Sequence, residues 1–484
     1  MPHNGPRVVG IPVVAGVRAM SAESSAVPPV VPSAAAEPAA QPAIPPTPWS
    51  WRLALFAVVG VLTASVYAVR ETLPAHPRAG IGVVCFILVV AGCSANLRAV
   101  RWRTILWGVG LQLALAGFIL MTAAGAEVFR RIGGVVERFL AFTNDGSSFV
   151  FGKLADPAAV ESAFGKGSGF LFAFQALPTI IFVSSFFTVL YYFGVLQLIV
   201  RVMAKAMMHM MGTSGAESLS AVANVFMGQT EAPLIVKPYV PRMTRSELLA
   251  MMVGGMATIS GGVMAMYIGM GADPVAILAT SVMAAPCGLY LSKLMLPETE
   301  LPETRGDATI RSERLHSNVI DAAAGGASDG LHLALNVAAM IIAFLAFIAL
   351  INAVLGAIDP SFSLEAGFSR LFYPVALLMG CRLEDAGIIG DLLGTKLVTN
   401  EFVAYYKLTR GPYAGVISHH GLVLATYALT GFANIASIGI QLGGIGSLAP
   451  SRRADLAALG GRALLCGFVA TLINASLAGM LTKS

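Results

Sequence analysis

Two short stretches set an amide, a hydroxyl and a carboxylate side by side in a chain that is otherwise strongly apolar. They are Asn224-Val-Phe-Met-Gly-Gln-Thr-Glu-Ala-Pro233 and Gly394-Thr-Lys-Leu-Val-Thr-Asn-Glu-Phe-Val-Ala-Tyr405. A charge at the centre of a bilayer span costs roughly 2.5–3.5 kcal/mol on insertion scales, so Glu231 and Glu401 need partners, protons or a water-filled cavity. Both stretches are therefore candidate sites. Plainer readings stand beside this one: Glu231 satisfied by its own hairpin backbone, and Glu401 paired with Lys396 or Lys407. Asn224 and Asn434 could equally pack between helices, Thr258 bond back to its own helix, and Phe432 serve as core.

Other chemistries find less in the sequence. His419-His420 has no carboxylate or cysteine at helical spacing and reads as a loop end rather than a metal site. Gly443-Gly-x-Gly446 follows no strand and precedes no Lys-Ser/Thr, so close helix contact is expected there and not a phosphate loop. An intramembrane enzyme would need a nucleophile paired with a base, or HExxH, and neither is present. A channel, the other rival, would pass current without saturable uptake. The five cysteines are scattered through apolar runs and imply neither a disulfide framework nor zinc.

The elements that must hold these residues are membrane spans. Of 484 residues, 56% are hydrophobic and 12% charged, and mean hydropathy is +0.76, far from the soluble norm of about a quarter charged. The net charge of +5 is spread over short loops, which excludes a nucleic-acid surface. Residues 1–48 are rich in proline and alanine and read as a disordered tail. Apolar runs of span length follow at Leu53–Val69, Ala79–Asn96 and Ile105–Ala126, with Trp49, Trp51 and Trp102 as interface anchors. Arg98, Arg101 and Arg103 make the loop after the second run, and the N-terminus, cytoplasmic by the positive-inside rule.

Arg130–Phe142 has the pattern of an interfacial helix, and Gly169–Val200 that of a tilted span entered by a bend at Pro178. Arg201, Lys205 and His209 oppose Met203, Met207, Met210 and Met211, as in an in-plane helix whose methionines pack. Gly212–Val240 is too polar for an ordinary span and fits a re-entrant hairpin. Leu248–Ala272 is broken by Thr258-Ile-Ser-Gly-Gly262, which either lets helices approach closely or frees carbonyls for a ligand. Pro274–Leu291 is a further span, Glu298–Arg314 a hydrophilic loop, and Leu331–Ile358 the span after it. The order then recurs: Phe368–Gly380, the acidic Gly387–Arg410, Gly411–Pro450 broken at Gly431-Phe-Ala-Asn-Ile-Ala-Ser437, and Ala463–Leu481. Broken helices at matching places in two halves point to a transporter's midplane site between inverted repeats.

The expected fold is thus an all-α polytopic membrane protein of about nine transmembrane helices, two re-entrant hairpins and interfacial helices. After the tail, it divides into N-terminal helices (49–128), a scaffold (129–211), a first hairpin and broken helix (212–298), a loop with a scaffold helix (299–363), and a second hairpin and broken helix (364–484).

Gly228-Gln-Thr-Glu-Ala-Pro-Leu, the 394–405 stretch and Gly431-Phe-Ala-Asn, together with Asp321-Ala-Ala-Ala-Gly-Gly-Ala-Ser328 and Gly443-Gly-Ile-Gly-Ser-Leu-Ala-Pro450, resemble the signatures of the concentrative nucleoside transporter family. The likeness runs over about Ile81–Gly479 and omits the tail and the first span. It implies an inner-membrane homotrimer in lipid that imports nucleosides such as uridine, cytidine or adenosine with sodium by an elevator-like movement; proton coupling is the alternative. Residue by residue, it implies Gln229, Thr230, Glu231 and Val263 on the nucleobase side. It also implies Glu401, Asn434 and Ser437 on the ribose, with Phe432 packed beside it. For sodium it implies Asn224 and Thr258 through their side chains and Met227 and Ile259 through their carbonyls.

Overall fold

The computed structural model describes residues 46–165, 169, 171–306 and 316–482. The expected tail lies outside them up to residue 45, as do residues 307–315 of the hydrophilic loop. Apolar runs without interior breakers become the long helices α1 (Trp49–Ala68), α2 (Ala75–Gly92) and α3 (Trp102–Met121). The Arg130–Phe142 pattern falls within α4 (Ala123–Ala141), whose start is capped by the Thr122 hydroxyl. Short helices α5 (Thr143–Phe151), α6 (Pro157–Phe164) and α7 (Phe172–Gln175) lead into α8 (Leu177–Tyr192). The break before α8 falls at Ala176, beside the expected bend, because Pro178 fits the first turn of a helix and no later position. In α9 (Val195–Met211), Met207 and Met211 are buried while Arg201, Lys205 and His209 face outward.

The candidate segments form short, interrupted helices. They are α10 (Gly215–Ala223), α11 (Ala232–Ile235), α12 (Arg245–Ala257) and α13 (Gly261–Gly269), followed by the continuous α14 (Pro274–Met295) and α15 (Val319–Ile358). Helix α15 starts earlier than Leu331, because Asn318 caps it and the three glycines of its first part, Gly325, Gly326 and Gly330, are accommodated against neighbours. A Cβ at Gly330 would meet the backbone of Ile181 at 2.8 Å, so α15 and α8 are in backbone contact there. The remainder is α16 (Leu364–Leu378), α17 (Leu383–Val398), α18 (Glu401–Thr409), α19 (His419–Leu429), α20 (Ile435–Leu448) and α21 (Arg453–Leu481). Among the described residues, 8 helices are long and apolar enough to cross a membrane. The ninth expected crossing, Gly411–Pro450, is divided into α19 and α20.

Burial separates an inner from an outer set. The span made by α12 and α13 is buried throughout, whereas the α1 and α15 spans are only 6% buried and present apolar faces outward. Helix α21 threads the inner set, touching α12, α14, α19 and α20. All five cysteines are free, four of them buried, as small apolar side chains in a core are.

The two helix breaks lean on each other. Gly431, at φ 147°, sits where a Cβ would lie 3.0 Å from the carbonyl oxygens of Met256 and Ala257, and the next residue, Phe432, donates its N–H to the Thr258 carbonyl at 3.1 Å. Replacing Gly431 by alanine is expected to cost about 1–3 kcal/mol through a backbone conformation that L residues resist. Thermal unfolding in detergent should show the loss, with Gly110→Ala, which meets open space, as the neutral control.

Candidate functional site

A cavity of about 730 Å³ opens where the interrupted helices meet, and its lining includes Gln229, Thr230, Glu231, Val263, Glu401, Phe432, Asn434 and Ser437. Every residue expected on the nucleoside thus faces one space, although the chain supplies them from segments some 200 residues apart (|i−j| = 208 for Gln229 and Ser437). The placement follows from how each helix begins. Ser260 caps α13 at the N–H of Val263, Asn400 caps α18 at Val403, and Asn434 caps α20 at Ser437. All three caps line the cavity, so three positive helix ends converge on it and favour acceptors.

Glu401 occupies the first turn of α18 and is 1% exposed. Its carboxylate accepts from the Tyr267 hydroxyl at 3.1 Å and from Asn434 Nδ2 at 2.9 Å. Neither lysine takes it as a hydrogen-bond partner. Lys396 donates to the Ala428 carbonyl and Thr471 Oγ1, at 2.8 and 3.0 Å, where it complements the negative end of α19. Lys407 pairs instead with Asp391 at 2.8 Å and Glu365 at 3.4 Å. Glu231 does accept from its own hairpin, at the Gly228 N–H (2.9 Å), yet its side chain is open to the cavity. The plainer reading holds for one of its oxygens and leaves the other available.

Gln229 links the hairpin to α20 by donating Nε2 to Ser437 Oγ at 3.3 Å, while its Oε1 is buried without a partner. Beside it, a Cβ on Gly444 would fall 2.5 Å from the Thr230 methyl, so this one glycine of the run lets the hairpin tip approach α20, whereas Gly443 meets open space. His419 and His420 open α19 rather than ending a loop, and His420 Nε2 lies 3.2 Å from the Gly380 carbonyl. Among the described residues no cluster of three or more His, Cys, Asp or Glu side chains is arranged to hold a metal.

Of the expected sodium ligands, Met227 lines the cavity, and Asn224, Thr258 and Ile259 are buried. Asn224 is wholly buried; its Nδ2 donates to Ser220 and its Oδ1 has no partner. The Thr258 hydroxyl donates to the Gly254 carbonyl, which leaves its oxygen lone pairs free. The carbonyls of Met227 and Ile259 accept no backbone hydrogen bond among the described residues. An orphaned buried amide oxygen with three further oxygens is a donor set that suits a hard cation.

Sequence reasoning noted Asn400 beside Glu401 without giving it a role, and did not single out Tyr267 or Ser260. Asn400 and Ser260 stood inside quoted motifs as small polar residues at the start of a helix, a readable signal. Tyr267 lay in an apolar run with nothing to mark it.

Interrupted helices around a polar cavity, set inside apolar spans, define a membrane transporter. Residues 81–154 match the family model for the N-terminus of the Na+ dependent nucleoside transporter, 276–479 that for its C-terminus, and 173–274 a nucleoside recognition (Gate) model. An uncharacterized transporter of Haemophilus influenzae is 44% identical over 83% of this chain and 96% of its own. Sodium/nucleoside cotransporter 1 of Mus musculus is 41% identical over 83% of this chain but 63% of its own, so the chain spans under two thirds of that relative. Among solved structures, CNTnw in an inward-facing substrate-bound state is 40% identical, covers 84% of this chain and 98% of its own, and superposes with a TM-score of 0.80. A variant of CNTnw in an outward-facing state reaches 0.81, so the likeness defines the fold and not the side to which the cavity faces. The chain belongs to the concentrative, sodium-dependent nucleoside transporter family, whose members are transporters and not enzymes.

Removing the Lys396 ammonium by Lys396→Met leaves the Ala428 carbonyl and Thr471 without their donor. The expected cost is about 1–3 kcal/mol, read as a lower unfolding temperature in detergent.

Proposed function

We propose that this protein imports nucleosides together with sodium across the cell membrane by alternating access. The observation that carries the reading is the buried Glu401 carboxylate, held by donors from two other interrupted helices on the wall of a cavity large enough for a drug-sized guest. Ribose hydroxyls donate to Glu401 and accept from Asn434, with Ser437 beside them; Phe432 covers the sugar's flank. The base lies toward Gln229, Thr230, Glu231 and Val263. A carboxylate already oriented by Tyr267 and Asn434 needs little reorganisation to receive a hydroxyl, and charge-assisted bonds of this kind are the strong ones.

Sodium binds at Asn224, Thr258 and the carbonyls of Met227 and Ile259. Support comes from the unpartnered Asn224 oxygen and from the backbone contact between the two breaks, Phe432 N–H to Thr258 carbonyl. That contact couples the ion's ligands to the segment that holds the ribose. Each entering charge is worth about 2.3 kcal/mol per 100 mV. Residues 212–298 and 364–484 form the moving part, with the hairpins re-entrant from opposite sides as an inverted repeat. The helices of 129–211 and 299–363 form a fixed scaffold in a homotrimer, with the N-terminus cytoplasmic.

Glu401→Ala should abolish uptake of labelled nucleosides in proteoliposomes while the protein still assembles; retained uptake would remove Glu401 from the site. Asn224→Ala and Thr258→Ala should raise the sodium concentration for half-maximal uptake at least about tenfold, the loss of one charge-assisted contact, before nucleoside preference changes. A sodium response unchanged in both, with uptake following an imposed pH gradient instead, would make the coupling ion a proton.

A further inference from the structure

The cavity wall carries acceptors that the assignments above leave unused. Helix α15 contributes Asp329, His332 and Asn336, spaced to share one helix face, and all three line the cavity with Glu231. Asp329 has no hydrogen-bond or ion-pair partner among the described residues, and it shares the cavity wall with Glu231. An ionisable side chain on a membrane-spanning helix that faces a cavity without a partner is costly, and marks a place where a guest supplies the partner.

The balance of donors and acceptors around the cavity is one-sided. The lining residues include the carboxylates of Glu231, Asp329 and Glu401 and no lysine, arginine or tryptophan. Carboxylates only accept, whereas the three absent types only donate. Hydroxyl and imidazole groups on the wall, including His316 and His332, serve in either sense and do not discriminate. Gln229 donates one of its two amide hydrogens to Ser437, and its Oε1 is buried without a partner. With Glu401 occupied by the ribose, the carboxylates left on the cavity wall for the base are those of Glu231 and Asp329, both of them acceptors.

We infer, building on the nucleoside reading above, that the site prefers nucleosides whose base carries an exocyclic amino group over the corresponding oxo bases, and that Asp329 on α15 is one of the acceptors setting this preference. Cytosine N4 and adenine N6 present donors where uracil and hypoxanthine present a carbonyl oxygen. Against carboxylates the amino group gains a charge-assisted bond, whereas the carbonyl oxygen meets like partial charge and must keep a water.

The test is competition of unlabelled cytidine, uridine, adenosine and inosine against labelled adenosine uptake, with the full chain in proteoliposomes at saturating sodium. Half-inhibition by cytidine is expected at a concentration about tenfold below that of uridine, and adenosine likewise below inosine, the scale of one hydrogen bond to a charged group. Asp329→Asn, which keeps the shape but adds a donor, should bring both ratios close to unity, while Asp329→Glu retains them. Equal inhibition by the amino and oxo members of each pair in the wild-type protein, or ratios unmoved by Asp329→Asn, overturns the inference and leaves nucleoside transport standing. Wild-type protein that takes up none of the four overturns the transport reading and this inference together.

Discussion

Interrupting a helix inside hydrocarbon strands backbone N–H and C=O groups that water cannot reach, and each must find a partner in the protein. Much of this molecule answers to that constraint. Its clearest expression is the Glu401 carboxylate, which sits at the start of α18, accepts from Asn434 at the start of α20, and accepts from Tyr267 within α13. One carboxylate thereby ties together three helices that each begin in the interior. The ends that point the other way are closed by different means. Lys396 and Thr430 bond carbonyls in the last turns of α19, Tyr405 reaches the Thr426 carbonyl at 3.0 Å, and Gln441 reaches the Met252 carbonyl at 3.0 Å.

A second polar network anchors the first hairpin away from the cavity. Ser214 and Glu217 form one capping box and Thr244 and Glu247 another, and the two are joined by Ser214 Oγ donating to Glu247 at 2.5 Å. Lys293 enters between Glu217, at 2.5 Å, and Glu298, at 3.3 Å. Buried ions are retained only where partners surround them, because desolvation otherwise exceeds their attraction. The network fixes where α10 and α12 begin, and so where the hairpin tip carrying Gln229 and Glu231 ends up.

The backbone contact between Phe432 and Thr258 gives the site its economy. The proposed cation ligands and the proposed ribose ligands lie on opposite sides of a single hydrogen bond, so ordering one break would order the other. Such coupling requires no long-range pathway; it is local chemistry made possible by Gly431, where a side chain would collide with the Met256 and Ala257 carbonyls.

The sequence by itself determined most of the spans, the positions of the breaks and the polar segments that line the cavity around Glu231, Glu401 and Asn434, because hydropathy, glycine-hydroxyl runs and helix-start residues act over a few neighbours. The methionine face of α9 and the polar stretches around Glu231 and Glu401 were legible for that reason. Partnership was not. Lys396 stands five residues before Glu401 and reads as its counter-ion, yet it turns to carbonyls of α19, because a helix end in an apolar medium offers it a negative dipole already in place. Tyr267 meets Glu401 from the apolar part of a broken span, and Asp329 lines the cavity from a position just before the expected Leu331–Ile358 span; only packing decides which face of such a helix looks inward. Local patterns are set by neighbours in the chain, whereas a binding site is set by which distant surfaces exclude lipid together, and that only the tertiary structure decided.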